Sequence, residues 1–173
     1  MTKLNTNSKK GFTIIEVVLV LAIAGLIFLM VFVALPALQR SQRDTQRRDD
    51  MARLITAVQN YQSNNKNKIP TSNGDHFEEG TDNSHKFYRG YLTHGEDDTF
   101  ADPSTGGNYV FVPGTCQSGD GNCNNASEDS ALGEITYYLN ATCDGANPMF
   151  SQGNNKVAFT IKLEGAGTYC SNN

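Results

Sequence analysis

The sequence predicts an α+β protein in which a long N-terminal α-helix packs on a small antiparallel β-sheet head. Residues 17–35 contain no charged or polar side chain, and residues 38–61 continue with apolar side chains at helical spacing in their later turns. Residues 134–140 and 156–163 alternate apolar with other side chains, as half-buried strands do. These three patterns together indicate the fold class.

The uncharged run is long enough to cross a membrane. At about 1.5 Å per residue, a helix over residues 17–35 spans a hydrocarbon core of about 30 Å. Glu16 lies at the start of this run, where an ionised carboxylate in lipid costs about 2.5 kcal/mol or more without a neutralising partner. Glu16 therefore needs a positively charged partner.

The residues before the run indicate a processing site. Lys9 and Lys10 lead directly into Gly11, and the apolar sequence begins at Phe12, whereas a secretory signal is cleaved after its apolar region. Cleavage between Gly11 and Phe12 would leave the helix on the mature chain with a new α-ammonium group. Glu16 follows about one helical turn later, within reach of that ammonium or of a neighbour's.

The string KKGFTIIE at residues 9–16, followed by an apolar helix, resembles the class III signal of the type IV pilin family, which includes pseudopilins of secretion and DNA-uptake machines. The resemblance is strong from residue 9 to about residue 60 and weak beyond. It implies that a prepilin peptidase cleaves after Gly11 and methylates the amine of Phe12. It also implies that Glu16 pairs with Phe12 of an adjacent subunit as a filament assembles.

Two helix-weakening residues follow within the apolar segment. Gly25 falls where pilins commonly have a glycine, whereas Pro36 lies three residues later than the usual pilin proline. Proline costs about 3 kcal/mol in a helix interior, and glycine costs about 1 kcal/mol relative to alanine. We therefore expect residues 25–36 to loosen in an assembled filament.

The distribution of charge predicts an acidic head outside the cell. The formal charge of the chain is −4, but residues 54–173 carry six basic and fourteen acidic side chains, a charge of −8. This balance argues against broad nucleic-acid binding. Lys3, Lys9 and Lys10 precede the span without an acid among them, which predicts that this end stays in the cytoplasm, although arginines beyond the span weaken the contrast.

The cysteines Cys116, Cys123, Cys143 and Cys170 all lie in the last third of the chain, which is typical of an extracellular protein, and they allow three pairings. We favour Cys116 with Cys123, which closes a loop rich in Gly, Asn and Asp, and Cys143 with Cys170, which ties a strand end to the C-terminus. A zinc site would need closely spaced CxxC pairs, which the sequence lacks. We expect disulfides and no bound metal.

Two groups of polar residues could still suggest a metal site: the histidines His76, His85 and His94, and the group Asp120, Asn122 and Asn124. The histidines recur at nine-residue spacings that match no ligand motif, which favours ordinary surface histidines. The second group resembles the start of a calcium loop, but its sixth position is asparagine and its twelfth is alanine, which favours a plain polar turn. Phosphate-loop, nucleophile-elbow and HExxH motifs are also lacking, so we expect no enzyme activity and no cofactor.

Charged residues dominate the helix just after the apolar segment. Asp44 with Arg48 and Asp49 with Arg53 are acid-before-base pairs one turn apart, each worth about 0.2 to 0.5 kcal/mol. Such charge runs usually form a solvated face, and within a filament they would contact other subunits. The helix should end in the Asn-rich residues 63–67, because the proline that soon follows disfavours further helix.

The sequence beyond residue 70 predicts the head. It is polar to about residue 98 except for an apolar island at residues 87–92, which predicts a surface loop pinned by a short turn. Residues 102–109 predict a turn that leads into a strand. A similar Asp-Pro-turn-Tyr element precedes the sheet in several pilin and pseudopilin heads. We expect three or four antiparallel strands with one face on the upper half of the helix.

The chain thus divides into a leader at residues 1–11, a membrane and filament-core helix at 12–38, its amphipathic continuation at 39–66, and a disulfide-tied head at 67–173. The resemblance implies a homo-oligomeric type IV pilus for adhesion, twitching motility or DNA uptake. Its partners would be a prepilin peptidase, a platform protein and an assembly ATPase, and the precursor would be a single-pass protein of the cytoplasmic membrane. A pseudopilin or minor pilin and a lone membrane-anchored extracellular binding domain stay open as alternatives.

Overall fold

The computed structural model describes residues 11–70, 77, 87–93, 98–116, 121, 123–124, 130–165 and 167–173. The chain forms two compact units, Met1–Gln39 and Arg40–Asn173. The elements are helix α1 (Ile14–Asn64), a π-helical turn (Tyr88–Leu92), and strands β1 (Val110–Pro113), β2 (Glu134–Leu139), β3 (Ala141–Asp144), β4 (Asn147–Phe150), β5 (Val157–Lys162) and β6 (Thr168–Asn172). The predicted α+β class, a long N-terminal helix packed on a small sheet, is confirmed.

Helix α1 includes both helix-weakening residues, Gly25 and Pro36. The expected loosening between them concerns the assembled filament and stays a prediction. The helix ends within the Asn-rich stretch, where Lys66 and Asn67 adopt left-handed φ angles of 54° and 61°. This left-handed backbone stops the helical hydrogen-bond pattern at the position that the sequence indicates.

The core of the head lies between the second half of α1 and one face of the sheet. On α1 the buried apolar side chains recur at spacings of three and four residues, so they share one face of the helix. They include Met51, Leu54, Ile55, Val58 and Tyr61. The sheet and the loops contribute Phe77, Phe87, Leu92, Phe100, Phe111, Ile135, Phe159 and Ile161 to the same cluster. The apolar island at residues 87–92 therefore anchors its loop in the core.

The main sheet has the strand order β1-β2-β5-β6. β2, β5 and β6 pair antiparallel, as predicted, whereas β1 pairs parallel with β2. Parallel neighbours need a long crossover instead of a tight hairpin. The chain between Pro113 and Glu134, which contains one disulfide-bonded loop, supplies this crossover. β3 and β4 form a separate antiparallel pair.

The central strands of the sheet are buried on both faces, whereas the sequence led us to expect one covered face. The first five residues of β5 are all buried, as in strands covered on both sides. Tyr138, Ala158 and Cys170 belong to a second buried cluster on the face away from α1. Strand β3 contributes Ala141 to that cluster. Sequence patterns did not predict strands β3 and β4, because each has only four residues and so short a run gives a weak periodic signal.

Disulfides complete this second cluster. Cys116 is bonded to Cys123, and Cys143 is bonded to Cys170, which are the pairs favoured from the sequence. The chain enters the first disulfide loop at Gly114, where an added Cβ would lie 2.2 Å from a ring carbon of Tyr138. Only glycine therefore lets the chain pass so close to this buried ring.

The two disulfides should differ in their contribution to stability. The cysteines are 27 residues apart in Cys143–Cys170 and 7 residues apart in Cys116–Cys123. Closing the longer loop removes more entropy from the unfolded chain. We expect Cys143→Ser/Cys170→Ser to lower the free energy of unfolding by about 3.5 kcal/mol and Cys116→Ser/Cys123→Ser by about 2.4 kcal/mol. Denaturant unfolding of the full chain in detergent micelles, followed by near-UV circular dichroism, measures both. Equal losses in the two variants would contradict this ranking.

Candidate assembly site

The N-terminal unit exposes its apolar surface. The apolar part of α1 has a mean hydropathy of 3.2, and none of it is buried inside the structure. Its length and composition suffice to cross a membrane. Phe12, just before the helix, is 87% exposed. A contiguous apolar surface of this kind marks a contact with lipid or with other protein chains.

Glu16 lies in the first turn of this exposed helix. Its Oε2 lies 3.5 Å from both the backbone nitrogen and the hydroxyl oxygen of Thr13. The spacing Thr-x-x-Glu is that of a capping box, in which the acid accepts a hydrogen bond from the N–H of the residue that caps the helix. Both distances are at the long limit for hydrogen bonds. The carboxylate therefore keeps most of its capacity for a cation.

Gly11 and Phe12 precede α1 and are both exposed. A Cβ added at Gly11 or at Gly25 would meet no atom within 4 Å. Neither position has a positive φ. The fold of the single chain therefore does not require glycine at either position.

The head contains a second candidate site, a group of charges that we call the arginine cluster: Arg43, Asp44, Arg47, Asp102 and Glu164. Arg47 is fully buried. Its Nε and Nη2 donate to Oδ2 and Oδ1 of Asp102 at 2.6 and 3.1 Å, in the bidentate geometry that guanidinium and carboxylate groups favour. Its Nη1 donates to Asp44 Oδ1 at 3.0 Å, and its Nη2 lies 3.1 Å from Glu164 Oε1. Arg43 also bonds to Glu164.

The acids of this cluster also hold two turns of the chain. Asp44 accepts hydrogen bonds from the backbone N–H groups of Glu164 at 2.8 Å and Gly165 at 2.9 Å. Asp102 accepts from the backbone N–H groups of Ser104 at 2.9 Å and Thr105 at 3.1 Å. The cluster thus connects α1 to the turn after Asp102 and to the turn between β5 and β6.

These contacts shift the pKa values of the cluster. Burial disfavours the charged form of Asp102, but hydrogen bonds from Arg47 and Ser104 outweigh it and lower the pKa of this carboxyl to about 2. The hydrogen bond from Arg43 lowers the pKa of Glu164. Burial opposes the charge of Arg47 too, yet its bonds to Asp102, Glu164 and Asp44 raise its pKa. All of these shifts favour the ionised cluster.

A neighbouring acid behaves in the opposite way. Asp50 Oδ2 accepts a hydrogen bond from the hydroxyl of Tyr109 at 2.9 Å. Burial raises the pKa of Asp50 more than this hydrogen bond and Arg53 lower it. The pKa of Tyr109 is raised by its burial and by the charge of Asp50. The two acids Asp50 and Asp102 therefore respond differently to pH.

The interpretation of this part of α1 as a solvated or subunit-contacting face is wrong for Asp44 and Arg47, which are buried. Asp44 pairs with Arg47 instead of the predicted Arg48, and Arg53 pairs with Asp98. The signal in the sequence is spacing: positions 44 and 47 continue the three- and four-residue intervals of the buried stripe. The charge of these two residues concealed that they belong to it.

His76, His85, His94, Asp120 and Asn122 lie outside the described residues. Asn124 is described, and its backbone N–H donates to the carbonyl of Thr115 at 3.0 Å, directly beside the disulfide that closes the first loop.

The fold and the N-terminal geometry define an α+β protein with an exposed apolar N-terminal helix, an acid in its first turn and a separately stabilised head. Residues 6–32 match the family model of the prokaryotic N-terminal methylation motif, which is the signature of type IV pilins and pseudopilins. No curated protein and no solved structure matches the chain. The match confirms the resemblance noted from the sequence. It supports a membrane-anchored precursor that a prepilin peptidase processes, and a structural role.

The arginine cluster predicts a pH dependence. We expect Asp102→Asn to lower the free energy of unfolding by about 3 kcal/mol at pH 7, because Arg47 would lose a buried anionic partner. The difference from wild type should shrink as the pH falls from about 4 to about 2, since Asp102 of the wild type then becomes protonated and loses its own stabilising effect. Thermal unfolding of the full chain in detergent across this range measures the difference.

Asp50→Asn is the matched control. The raised pKa of Asp50 means that its contribution to stability is present below its unfolded value of 3.8 and is lost as the pH rises through the folded value. Relative to wild type, Asp50→Asn should therefore gain stability as the pH rises from 3.8 through the higher pKa of folded Asp50. A difference between Asp102→Asn and wild type that does not change between pH 5 and pH 2 would show that the cluster is not ionised as described.

Proposed function

We propose that this chain is the structural subunit of a type IV pilus, in which the helix over residues 12–38 assembles many copies into a helical filament. The observation that carries the proposal is the methylation motif at residues 6–32 on a helix whose apolar surface is exposed. Leaving that surface in water costs about 25 cal/mol per Å². Lipid would cover it before assembly, and neighbouring copies would cover it in the filament.

Glu16 would set the register of the subunits. Among the described residues, the hydrogen bonds of its carboxylate are the two long ones to Thr13. In lipid an ionised carboxylate without a better partner is costly. The α-ammonium group of Phe12 on an adjacent copy would supply that partner, and it would do so only when the two helices are correctly staggered. The same interaction would thus favour assembly and define its geometry.

The proposal includes processing at the start of the helix. A prepilin peptidase would cleave after Gly11 and methylate the amine of Phe12. Gly11 is exposed and the fold does not require a glycine there, so the need for a small residue would come from the peptidase. Cleavage would remove residues 1–11 and leave the span, its continuation at 39–66 and the head at 67–173.

The proposed precursor crosses the cytoplasmic membrane once, with Lys9 and Lys10 on the cytoplasmic side. A platform protein and a cytoplasmic ATPase would move it into an extracellular pilus. Adhesion, twitching motility and DNA uptake are all compatible roles. The acidic head disfavours direct nucleic-acid binding. The motif supports a pseudopilin or minor pilin of a secretion or competence machine equally, whereas a lone membrane-anchored binding domain would be neither processed nor assembled.

The mature chain should begin at methylated Phe12. We expect the intact mass of protein purified from membranes to correspond to residues 12–173 with one amine hydrogen replaced by a methyl group, less four hydrogens for the two disulfides. A Gly11→Val variant should keep its leader, because a branched side chain would replace the small residue before the cleaved bond. A mature wild-type chain that still contains Lys9 and Lys10 would contradict the proposal and favour the lone anchored domain.

Replacing Glu16 should block assembly without affecting insertion. We expect Glu16→Ala and Glu16→Gln to enter the membrane as the wild type does and to reduce the filaments in sheared surface fractions by about tenfold or more, which corresponds to about 1.4 kcal/mol. Immunoblots of membrane and sheared fractions, with electron microscopy, measure both quantities.

Thr13→Val serves as the control for Glu16, since it removes a hydroxyl contact of Glu16 but leaves the carboxylate in place. It should keep most of the filaments. Filaments of Glu16→Gln at the wild-type level would show that the charge is not needed.

A further inference from the structure

A polar groove lies where three parts of the head meet: the end of α1, the turn between β2 and β3, and the loop between β4 and β5. Its volume is about 780 Å³, within the range of about 300–1,000 Å³ that is typical of ligand pockets. Its lining includes Lys66, Asn67, Lys68, Leu139, Asn140 and Asn154. It lies wholly within the second unit of the chain, apart from the proposed assembly helix.

The backbone around the groove has an unusual conformation. Among the residues that the structure describes, the non-glycine residues with positive φ are Lys66, Asn67 and Asn140, and all three line this groove. Left-handed backbone is tolerated by asparagine but disfavoured for lysine. Lys66 and Asn67 end α1 and Asn140 forms the turn between β2 and β3, so these conformations fix the shape of two walls of the groove.

Hydrogen bonds hold the walls of the groove in place. The N–H of Asn140 donates to the carbonyl of Lys156 at 2.9 Å. The carbonyl of Asn155, another lining residue, accepts from Gln62 Nε2 and from Asn173 Nδ2, each at 2.7 Å. The three segments are therefore tied together without a ligand, so a ligand would meet a largely formed site.

The groove concentrates hydrogen-bond donors in an acidic head. Among the described residues, the side chains of Lys66, Lys68 and Asn154 have no hydrogen-bond or ion-pair partner. The last turn of α1 has no basic residue, and the Tyr61 carbonyl there is bonded by Asn65 Nδ2 at 2.9 Å, so the two lysines do not cap the helix. Two ammonium groups are thus available beside several carboxamides.

This set of groups matches the chemistry of an acidic sugar. Ammonium groups bind a carboxylate, carboxamides both donate to and accept from ring hydroxyls, and Leu139, 39% exposed, offers an apolar surface to the C–H groups of a pyranose ring. Among the described residues that line the groove, none is an aromatic residue on which nucleic-acid bases could stack. We propose that this groove binds acidic carbohydrate, with a uronic acid carboxylate at Lys66 and Lys68 and ring hydroxyls at the asparagines.

A binding experiment on single chains tests this site independently of filament assembly. The probe is trigalacturonic acid, titrated into the full chain in detergent micelles and followed by calorimetry and by the side-chain amide signals in NMR spectra. We expect saturable binding, with the neutral sugar maltotriose and the acidic peptide triglutamate each about tenfold weaker or more, because each lacks one of the two recognised chemistries.

Variants locate the binding. Lys66→Ala/Lys68→Ala and Asn154→Leu should each weaken trigalacturonate binding by about tenfold or more. Arg40→Ala/Lys162→Ala removes the same number of positive charges at positions that do not line the groove, and this control variant should bind trigalacturonate as the wild type does. Thermal unfolding of each variant identifies any that fails to fold, and Asn154→Leu, at an exposed position, leaves both lysines in place.

Three outcomes would overturn the proposal. The wild type would show no saturable binding, triglutamate would bind as tightly as trigalacturonate, or the control variant would lose as much affinity as Lys66→Ala/Lys68→Ala. The second outcome would assign the groove to acidic peptides. The third would reduce the effect to the general charge of the head.

Discussion

The fold of the head depends on the burial of one guanidinium group, that of Arg47. A buried charge is tolerated only where anionic partners reach it in good geometry. Here the partners come from α1, from the turn after Asp102 and from the turn that contains Glu164, segments that are far apart along the chain. Apolar packing alone would accept small shifts of a helix along a sheet. The bidentate contact with Asp102 does not, so we infer that the cluster selects one register for this part of α1.

The apolar packing of the head is uneven, and two disulfides reinforce its weaker side. The face of the sheet toward α1 is covered by large aromatic and aliphatic side chains, whereas the other face carries Tyr138, two alanines and the disulfide-bonded cysteines. A cluster of such small side chains buries little apolar area. The disulfides offset this because they restrict the unfolded chain. Gly114 permits the close approach on which the packing of Tyr138 depends.

The two units meet opposite physical requirements. The first exposes an apolar surface, and among the described residues the carboxylate of Glu16 has a weak partner, Thr13. The second pairs its buried charges internally and has a negative net charge. In the proposed filament, assembly would therefore depend on the helix. Recognition would fall to the head, where the groove beside Lys66 collects positive charge in a part of the chain whose net charge is negative.

Local sequence patterns determined the membrane-length helix, the processing motif at Gly11 and Phe12, the apolar stripe through Met51 and Val58, and strands β2 and β5. Periodicity and composition are properties of neighbouring residues, so they can be recognised without a fold. Only the tertiary structure decided that Arg47 is buried against Asp102, that β1 runs parallel to β2, and that the sheet is covered on its second face. Each of these depends on partners distant in the chain, since a buried charge and a strand's direction are defined by what lies opposite them in space.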